Sequence, residues 1–210
     1  LSMWYQALAE AGAGISDTAA GDPYVVDPAR MPAADAIMML AAHVSRHQIF
    51  TEWIDPSIHD EGRPDVRDSA LNLYDPSNPN QPPYSADFLA TFATAQVARN
   101  RRITAWVKEK LATIRASDSP YREFAFTVHG TMADPRWLDP TIEPSERAVG
   151  RCYLGDPKVV NDGPVGLARF CTLRSWLSQW SYDDARCDAV ASGPNIRIPV
   201  LVVGNSADDA

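Results

Sequence analysis

Two short, continuous apolar runs near opposite ends of the chain constrain its fold more than any other feature. Residues 36–42 read Ala-Ile-Met-Met-Leu-Ala-Ala, and residues 198–203 read Ile-Pro-Val-Leu-Val-Val. Such runs are typical of strands covered on both faces, as in parallel sheets, although the first run also fits a buried helix segment. Its length and the preceding Pro32 favour a strand. We therefore expect both runs to lie parallel in one sheet, side by side or nearly so.

Two adjacent carboxylates follow the second apolar run. The run breaks at Gly204-Asn205-Ser206, and Asp208 and Asp209 follow after one alanine. In open α/β sheets, ligands and catalytic groups collect at the carboxyl ends of the strands. The two aspartates are therefore candidate site residues, and the alternative is that they solvate the end of a loop.

The long stretch between the two runs predicts an insertion. Ordinary connections between neighbouring strands are far shorter. Residues 84–114 have a helical pattern that Ser85 can cap, and dense Asp-Pro pairs mark turns around it. We predict a sheet-and-helix core over residues 1–43 and 165–210, and a mostly helical and irregular lid over residues 44–164, lying above the carboxyl end of the sheet.

Composition excludes several classes of function. The net charge of −8 disfavours a nucleic-acid surface, because phosphate binding needs a basic field. No apolar stretch approaches the roughly 20 residues of a membrane span. The three cysteines fit neither a disulfide framework nor a zinc pattern, so we expect inert thiols in a reducing cytoplasm.

A basic run, Arg99-Asn100-Arg101-Arg102, lies within the longest helical pattern. It is compatible with an anion site. In acidic surroundings, however, such a run is more typical of a solvated helix face, and that is the interpretation we favour.

Two segments carry a resemblance to a known family. Residues 166–181 end in Arg-Ser-Trp-Leu-Ser-Gln-Trp-Ser, and the second apolar run leads into Gly-Asn-Ser-Ala-Asp-Asp. Together they resemble a group of bacterial α/β-hydrolase-fold proteins of the serine-hydrolase type, over essentially the whole chain. The resemblance implies a partial α/β-hydrolase fold, with parallel strands flanked by helices and a large lid.

The family's nucleophilic serine sits in a Gly-x-Ser-x-Gly turn between a strand and a helix. Gly14-Ile15-Ser16-Asp17-Thr18 lacks the second glycine and a preceding strand. The resemblance makes residues 2–11 the helix after that turn, so we expect an internal fragment of a longer protein, with the serine upstream. The family's histidine follows the acid, whereas all four histidines here precede it: His43, His47, His59 and His129.

The resemblance assigns the triad acid to Asp208, with Asp209 as the alternative, and would have it orient the catalytic histidine. His43, Trp176 and Trp180 are candidate substrate-pocket residues, although aromatic residues at helical spacing are more often core. The expected activity is hydrolysis of a small-molecule carboxylic ester by acyl transfer, without a metal or organic cofactor. The alternative is a non-catalytic protein of this fold that binds a small apolar ligand or a protein partner.

Overall fold

A computed structural model describes residues 1–208 and consists of helices with three small sheets. The first helix, α1, ends at Gly12, which adopts the left-handed conformation (φ 60°) and donates its backbone N–H to Ala9 O. Only glycine adopts this conformation without steric cost. The longest helix, α3, begins after Ser85, whose side chain accepts the Phe88 N–H, so the predicted cap is confirmed. The helices are α1 (Ser2–Ala11), α2 (Arg46–Trp53), α3 (Ala86–Ala116), α4 (Pro157–Asp162), α5 (Leu173–Gln179) and α6 (Ala189–Ser192).

The strands form three separate pairs. Antiparallel pairs join β1 to β2 and β4 to β5, and a parallel pair joins β3 to β6. In the parallel pair, Ile37 lies opposite Val200 and Leu40 opposite Val203. The predicted parallel arrangement of the two apolar runs is therefore confirmed. The strands are β1 (Ile15–Asp17), β2 (Pro23–Val26), β3 (Ile37–Leu40), β4 (Ala125–Thr127), β5 (Phe170–Thr172) and β6 (Val200–Val203).

The faces of the parallel pair differ from the sequence expectation. Continuous apolar runs predict strands covered on both faces, yet Met38 is 68% exposed and Val202 is 71% exposed. Only four residues of each strand pair, and all four residues of β6 are exposed. Both strands therefore have the apolar composition of buried strands, but most of their side chains are exposed.

A helical body holds the main core. Phe50 of α2, Val107 of α3 and Trp176 of α5 are fully buried and belong to one cluster. The Phe50 and Trp176 rings meet edge to face with centroids 5.3 Å apart. The Trp176 indole N–H donates to Thr104 Oγ1 at 2.9 Å, so the buried ring has its polar group satisfied. We call the residues of α2, α3, β4, β5 and α5 the helical body.

The predicted division of the chain at residue 165 runs through this body. Strand β4 pairs with β5, and Leu173 and Leu177 lie in the same core cluster as Ile103 and Leu111. Residues 170–179 therefore pack on the segment that we predicted to be a lid, rather than on β3 and β6. Residues 44–164 supply one strand, β4, and it does not join the parallel pair.

Only half of the basic run of α3 is a solvated face, which corrects the sequence interpretation in part. Arg99 and Asn100 are fully buried, whereas Arg101 and Arg102 are exposed at the side chain. Asn100 donates to Thr51 Oγ1 and to the Trp180 carbonyl, tying α2 and the end of α5 to α3. Local charge could not reveal this, because the partners come from distant parts of the chain.

Within residues 1–208, no helix combines the length and the apolar character that crossing a bilayer requires.

Candidate functional site

A cavity of about 720 Å³ lies at the carboxyl ends of β3 and β6. The two strand ends contribute one side of it, and α2 and the loop after residue 143 contribute the other. Parallel strands place their carboxyl ends at the same edge, which is why residues far apart in sequence meet here. The lining residues are Ala41, His43, Trp53, Glu146, Arg147, Ala148, Arg151, Cys152, Tyr153, Leu167, Asn205, Ala207 and Asp208.

The loop that carries Asp208 is tied to the opposite side of the cavity. The Glu146 backbone N–H donates to Ser206 O at 3.0 Å, and the Ser206 hydroxyl donates to Glu146 Oε2 at 2.5 Å. Arg147 Nη1 donates to the Asp208 carbonyl at 3.1 Å. We call residues 205–208 the acid loop and residues 143–153 the lid loop. These contacts fix the backbone of the acid loop against the lid loop.

Arg147 is the link between the two loops. Its side chain is largely buried, and besides Asp208 it donates to the Glu143 carbonyl at 3.2 Å. Burial acts to raise the pKa of Glu143, but Arg136 and Arg147 outweigh burial and lower it below its usual value. Glu143 therefore stays ionised and holds Arg147 in place.

The approach from β3 to the cavity is sharply bent. Ala41, directly after the strand, has φ +47° and donates its N–H to Val203 O at 2.9 Å. A residue other than glycine in this region costs about 1 kcal/mol or more, and such outliers concentrate at functional sites. The bend leads directly to His43, whose ring meets the Trp53 ring edge to face at 6.3 Å.

Aromatic rings form the wall behind His43. The Trp53 ring lies 5.0 Å from Trp137 and 6.0 Å from Tyr153, between centroids. Trp53 and Trp137 are buried, whereas Tyr153 is exposed. Leu167 adds an aliphatic surface to the same cavity. This wall suits an apolar group of a ligand.

One cation on the cavity is not neutralised by the described part of the chain. Arg151 is exposed, and no carboxylate within residues 1–208 lies within ion-pair distance of it. The cavity thus combines an aromatic wall, a carboxylate loop and a positive charge.

The structure brings two of the predicted site residues together and separates two others. Asp208 and His43 line the same cavity. Trp176 lies in the core of the helical body, and Trp180 packs against that core with the Arg46 guanidinium 5.9 Å above its ring, so neither lines this cavity. Asp209 lies outside the described residues.

Sequence reasoning missed Trp53 and most of the lid loop. Trp53 belongs to a helix with a weak periodic pattern, and Arg147 and Arg151 lie in an irregular segment that has no local signal. Their placement depends on contacts across the fold. Asp208 was found because it follows an apolar strand, and the resemblance added its assignment as the triad acid.

No metal centre is formed by the described residues. Among residues 1–208, no three His, Cys, Asp or Glu side chains lie close enough to hold an ion together. Comparisons with protein-family models, with curated proteins and with solved structures each found no match.

Proposed function

We propose that this chain contributes the acid and the substrate cavity of a serine-type α/β-hydrolase that cleaves a carboxylic ester. One observation carries the proposal: Asp208 follows a parallel strand and lines a cavity together with His43, which follows the neighbouring strand. In α/β folds this edge is the usual location of the active site.

Asp208 would act through a histidine rather than on the substrate. A carboxylate that accepts the Nδ1–H of histidine fixes its tautomer and stabilises the imidazolium that forms as the serine attacks. Arg147 donates to the backbone carbonyl of Asp208 itself, so the lid loop would hold this acid in position. Arg147 is thus a positioning residue.

The sequence has no Gly-x-Ser-x-Gly pattern, so the proposal assigns neither the nucleophile nor the oxyanion donors to it. His43 is assigned to the substrate pocket. The aromatic wall at Trp53 and Tyr153 would contact an apolar part of a small-molecule ester. The proposal requires no metal or organic cofactor.

We include a location in the cytoplasm of a bacterium in the proposal. The three cysteines support it, because none of them forms a disulfide in the described part of the chain, as is usual in reducing compartments.

The test compares two adjacent carboxylates. In the protein from the complete gene, Asp208→Asn should lower kcat for p-nitrophenyl ester hydrolysis by about 10³–10⁴-fold, because the amide favours the wrong histidine tautomer. Asp209→Asn, the matched control, should change kcat far less. Urea unfolding of both variants checks that the fold is retained.

Two results would contradict the proposal. One is a protein whose kcat does not respond to Asp208→Asn. The other is ester turnover above the buffer rate by the purified 210-residue chain, because that chain would then hold a nucleophile that we have not assigned.

A second candidate function is a non-catalytic protein that binds a small apolar ligand. The cavity favours it, since these residues alone form a space of about 720 Å³ with an aromatic wall. A fluorophosphonate probe separates the two candidates. Covalent labelling of the complete gene product supports the hydrolase, and Trp53-dependent ligand binding without any labelling supports the binder.

A further inference from the structure

A second cavity lies on the helical body, on a different set of elements from the cavity at Asp208. Its volume is about 660 Å³, and it is lined by His59–Gly62 of a surface loop, by α3, and by residues 124–128 around β4. We call it the β4 groove. No residue lines both cavities.

The pairing of β4 with β5 determines which backbone groups remain available. Leu173 N donates to Phe124 O at 3.2 Å, and Val128 N donates to Arg169 O at 2.9 Å. In an antiparallel pair, hydrogen-bonded residues alternate with residues whose N–H and C=O point to the opposite edge. The backbone N–H and C=O groups of residues 124, 126 and 128 therefore point towards β5, and those of residues 125 and 127 point away from it.

The outward positions are Ala125 and Thr127, which are both exposed. Their two N–H and two C=O groups make no hydrogen bond within residues 1–208. An unpaired strand edge of this kind is a template for a further strand.

The β4 groove follows this open edge. It touches five consecutive residues, 124–128, although alternate side chains of a strand point to opposite faces. Ala125 and Thr127, whose backbone groups point away from β5, are among these five residues. The groove therefore runs along the edge that β5 leaves free.

Aromatic rings line the groove beside the edge. Trp106 of α3 is 42% exposed, and its ring lies 5.1 Å from Phe126 and 6.2 Å from Phe124, between centroids. Ile103 lines the same space. An apolar side chain of a ligand would find contact on several sides here.

The rim of the groove carries a cation with spare donors. Arg102 Nη2 donates to Ile58 O at 2.8 Å, and its Nε and Nη1 have no acceptor within residues 1–208. The nearest carboxylate, Glu61, lies 3.8 Å away and already accepts from Arg99 through both oxygens.

The other acid on the rim is also engaged. Asp60 accepts from Arg63 Nε at 3.2 Å and from the Gly62 N–H at 2.9 Å. The rim therefore presents Arg102 to an incoming negative charge.

We propose that the β4 groove binds an extended peptide segment as an additional strand on β4, with an apolar side chain against Trp106 and an acidic side chain at Arg102. Alternating N–H and C=O groups along an edge match a peptide backbone, which is the recognition mode known as strand addition. A small apolar acid would use the aromatic wall and Arg102 but would leave the edge unpaired.

The test uses a fluorescein-labelled peptide, Ser-Val-Thr-Phe-Ser-Glu-Ser, whose Phe and Glu are two residues apart and so point to the same face of a strand, and a copy with N-methyl groups on alternate amides. Fluorescence anisotropy should show binding of the first peptide to the 210-residue chain and at least tenfold weaker binding of the second. In hydrogen exchange, the amides of Ala125 and Thr127 should become protected when the first peptide is added. This readout needs no variant of the protein.

Variants then test the side-chain contacts. Trp106→Ala should weaken binding about tenfold or more, and Tyr121→Ala, an exposed aromatic outside the groove, should leave it unchanged. Arg102→Gln should weaken binding of the Glu peptide but not of its Gln counterpart.

Four results would overturn the proposal. They are absence of binding, equal affinity for the N-methylated peptide, competition by dodecanoate without protection of Ala125 and Thr127, and a concentration-dependent dimer in which these amides are protected without peptide. The third would indicate a small apolar acid, and the fourth a second copy of the chain.

Discussion

The helical body and the parallel pair β3–β6 have similar apolar character but very different burial. Leu173 in the helical body is fully buried, whereas Leu201 in β6 is 53% exposed. The body closes its core from its own elements, since α2, α3 and α5 each turn an apolar face to the others. In the parallel pair, by contrast, only Ile37 and Met39 are partly buried, and all four residues of β6 are exposed. Two strands alone are marginal in water, and parallel strands are normally covered on both faces.

The candidate site is divided between these two regions. Trp53 and Arg147 lie on the side of the helical body, and His43 and Asp208 follow the parallel pair. The acid loop is held to the lid loop by the hydrogen bonds of Glu146 and Arg147, and Arg136 pairs with both Glu143 of the lid loop and Glu52 of α2. The helical body would therefore shape the cavity, while the position of Asp208 depends on a small number of contacts.

Replacement of Arg99 should have the largest effect on the helical body. All five N–H groups of this buried guanidinium have acceptors: both Glu61 oxygens and the carbonyls of Asp55, His129 and Gly130. Arg99→Met leaves these acceptors without their donor, and we expect a loss of about 3–5 kcal/mol in the free energy of unfolding. Urea unfolding followed by circular dichroism measures it.

Arg101→Met is the matched control on the same helix. Arg101 also makes a bidentate ion pair, with Asp183, but both side chains are half exposed. Its removal should cost less than about 1 kcal/mol. Equal losses for Arg99 and Arg101 would refute the structural role of the buried network.

A leucine in each region gives the most direct contrast in packing. Leu173→Ala should cost about 2–5 kcal/mol, because it leaves a cavity in a closed core. Leu201→Ala should cost less than about 1 kcal/mol, because much of that side chain is already in water. Thermal and urea unfolding of both variants provide the measurement. A larger loss at Leu201 would mean that the parallel pair is covered in solution.

A smaller, pH-dependent effect is expected where the β1–β2 hairpin meets the helical body. The hydrogen bond from Arg174 lowers the pKa of Asp22 to about 2; burial opposes this shift, and Arg115 adds to it. Because the folded-state pKa is depressed, the stabilisation is present above the ordinary value of 3.8 and is lost as the pH falls towards 2.

Asp22→Asn should therefore cost about 1 kcal/mol at neutral pH and almost nothing near pH 2, the value being modest because the pair is partly exposed. Asp35→Asn is the control, since the Asp35 side chain makes no hydrogen bond or ion pair within residues 1–208. A cost that does not depend on pH would show that Asp22 acts by packing rather than by charge.

The sequence predicted those elements that depend on neighbouring residues alone, such as helix caps and apolar strands. The cap at Ser85 and the strand character of both apolar runs follow from propensity and patterning. The β1–β2 hairpin did not, because Ile15–Asp17 and Pro23–Val26 are short and lack strong alternation. Nor was β5 predicted: residues 170–172 pair with β4, and α5 begins only at Leu173.

The site was less predictable than the fold because long-range contacts assemble it. Trp176 and Trp53 are both buried tryptophans near helical segments, and only the tertiary structure places Trp53 on the cavity and Trp176 in the core. Likewise, the charge run at Arg99 has the local pattern of a solvated face. Its acceptors lie in loops that no periodicity connects to α3.

Native-state hydrogen exchange tests the division into a stable body and a labile parallel pair most directly. Amides of α3 between Ile103 and Leu111 should exchange only through global unfolding, with a strong dependence on denaturant. Amides of residues 37–41 and 200–203 should exchange through local opening, at least about 100-fold faster and with little denaturant dependence. Equal protection and equal denaturant dependence in the two regions would contradict the account.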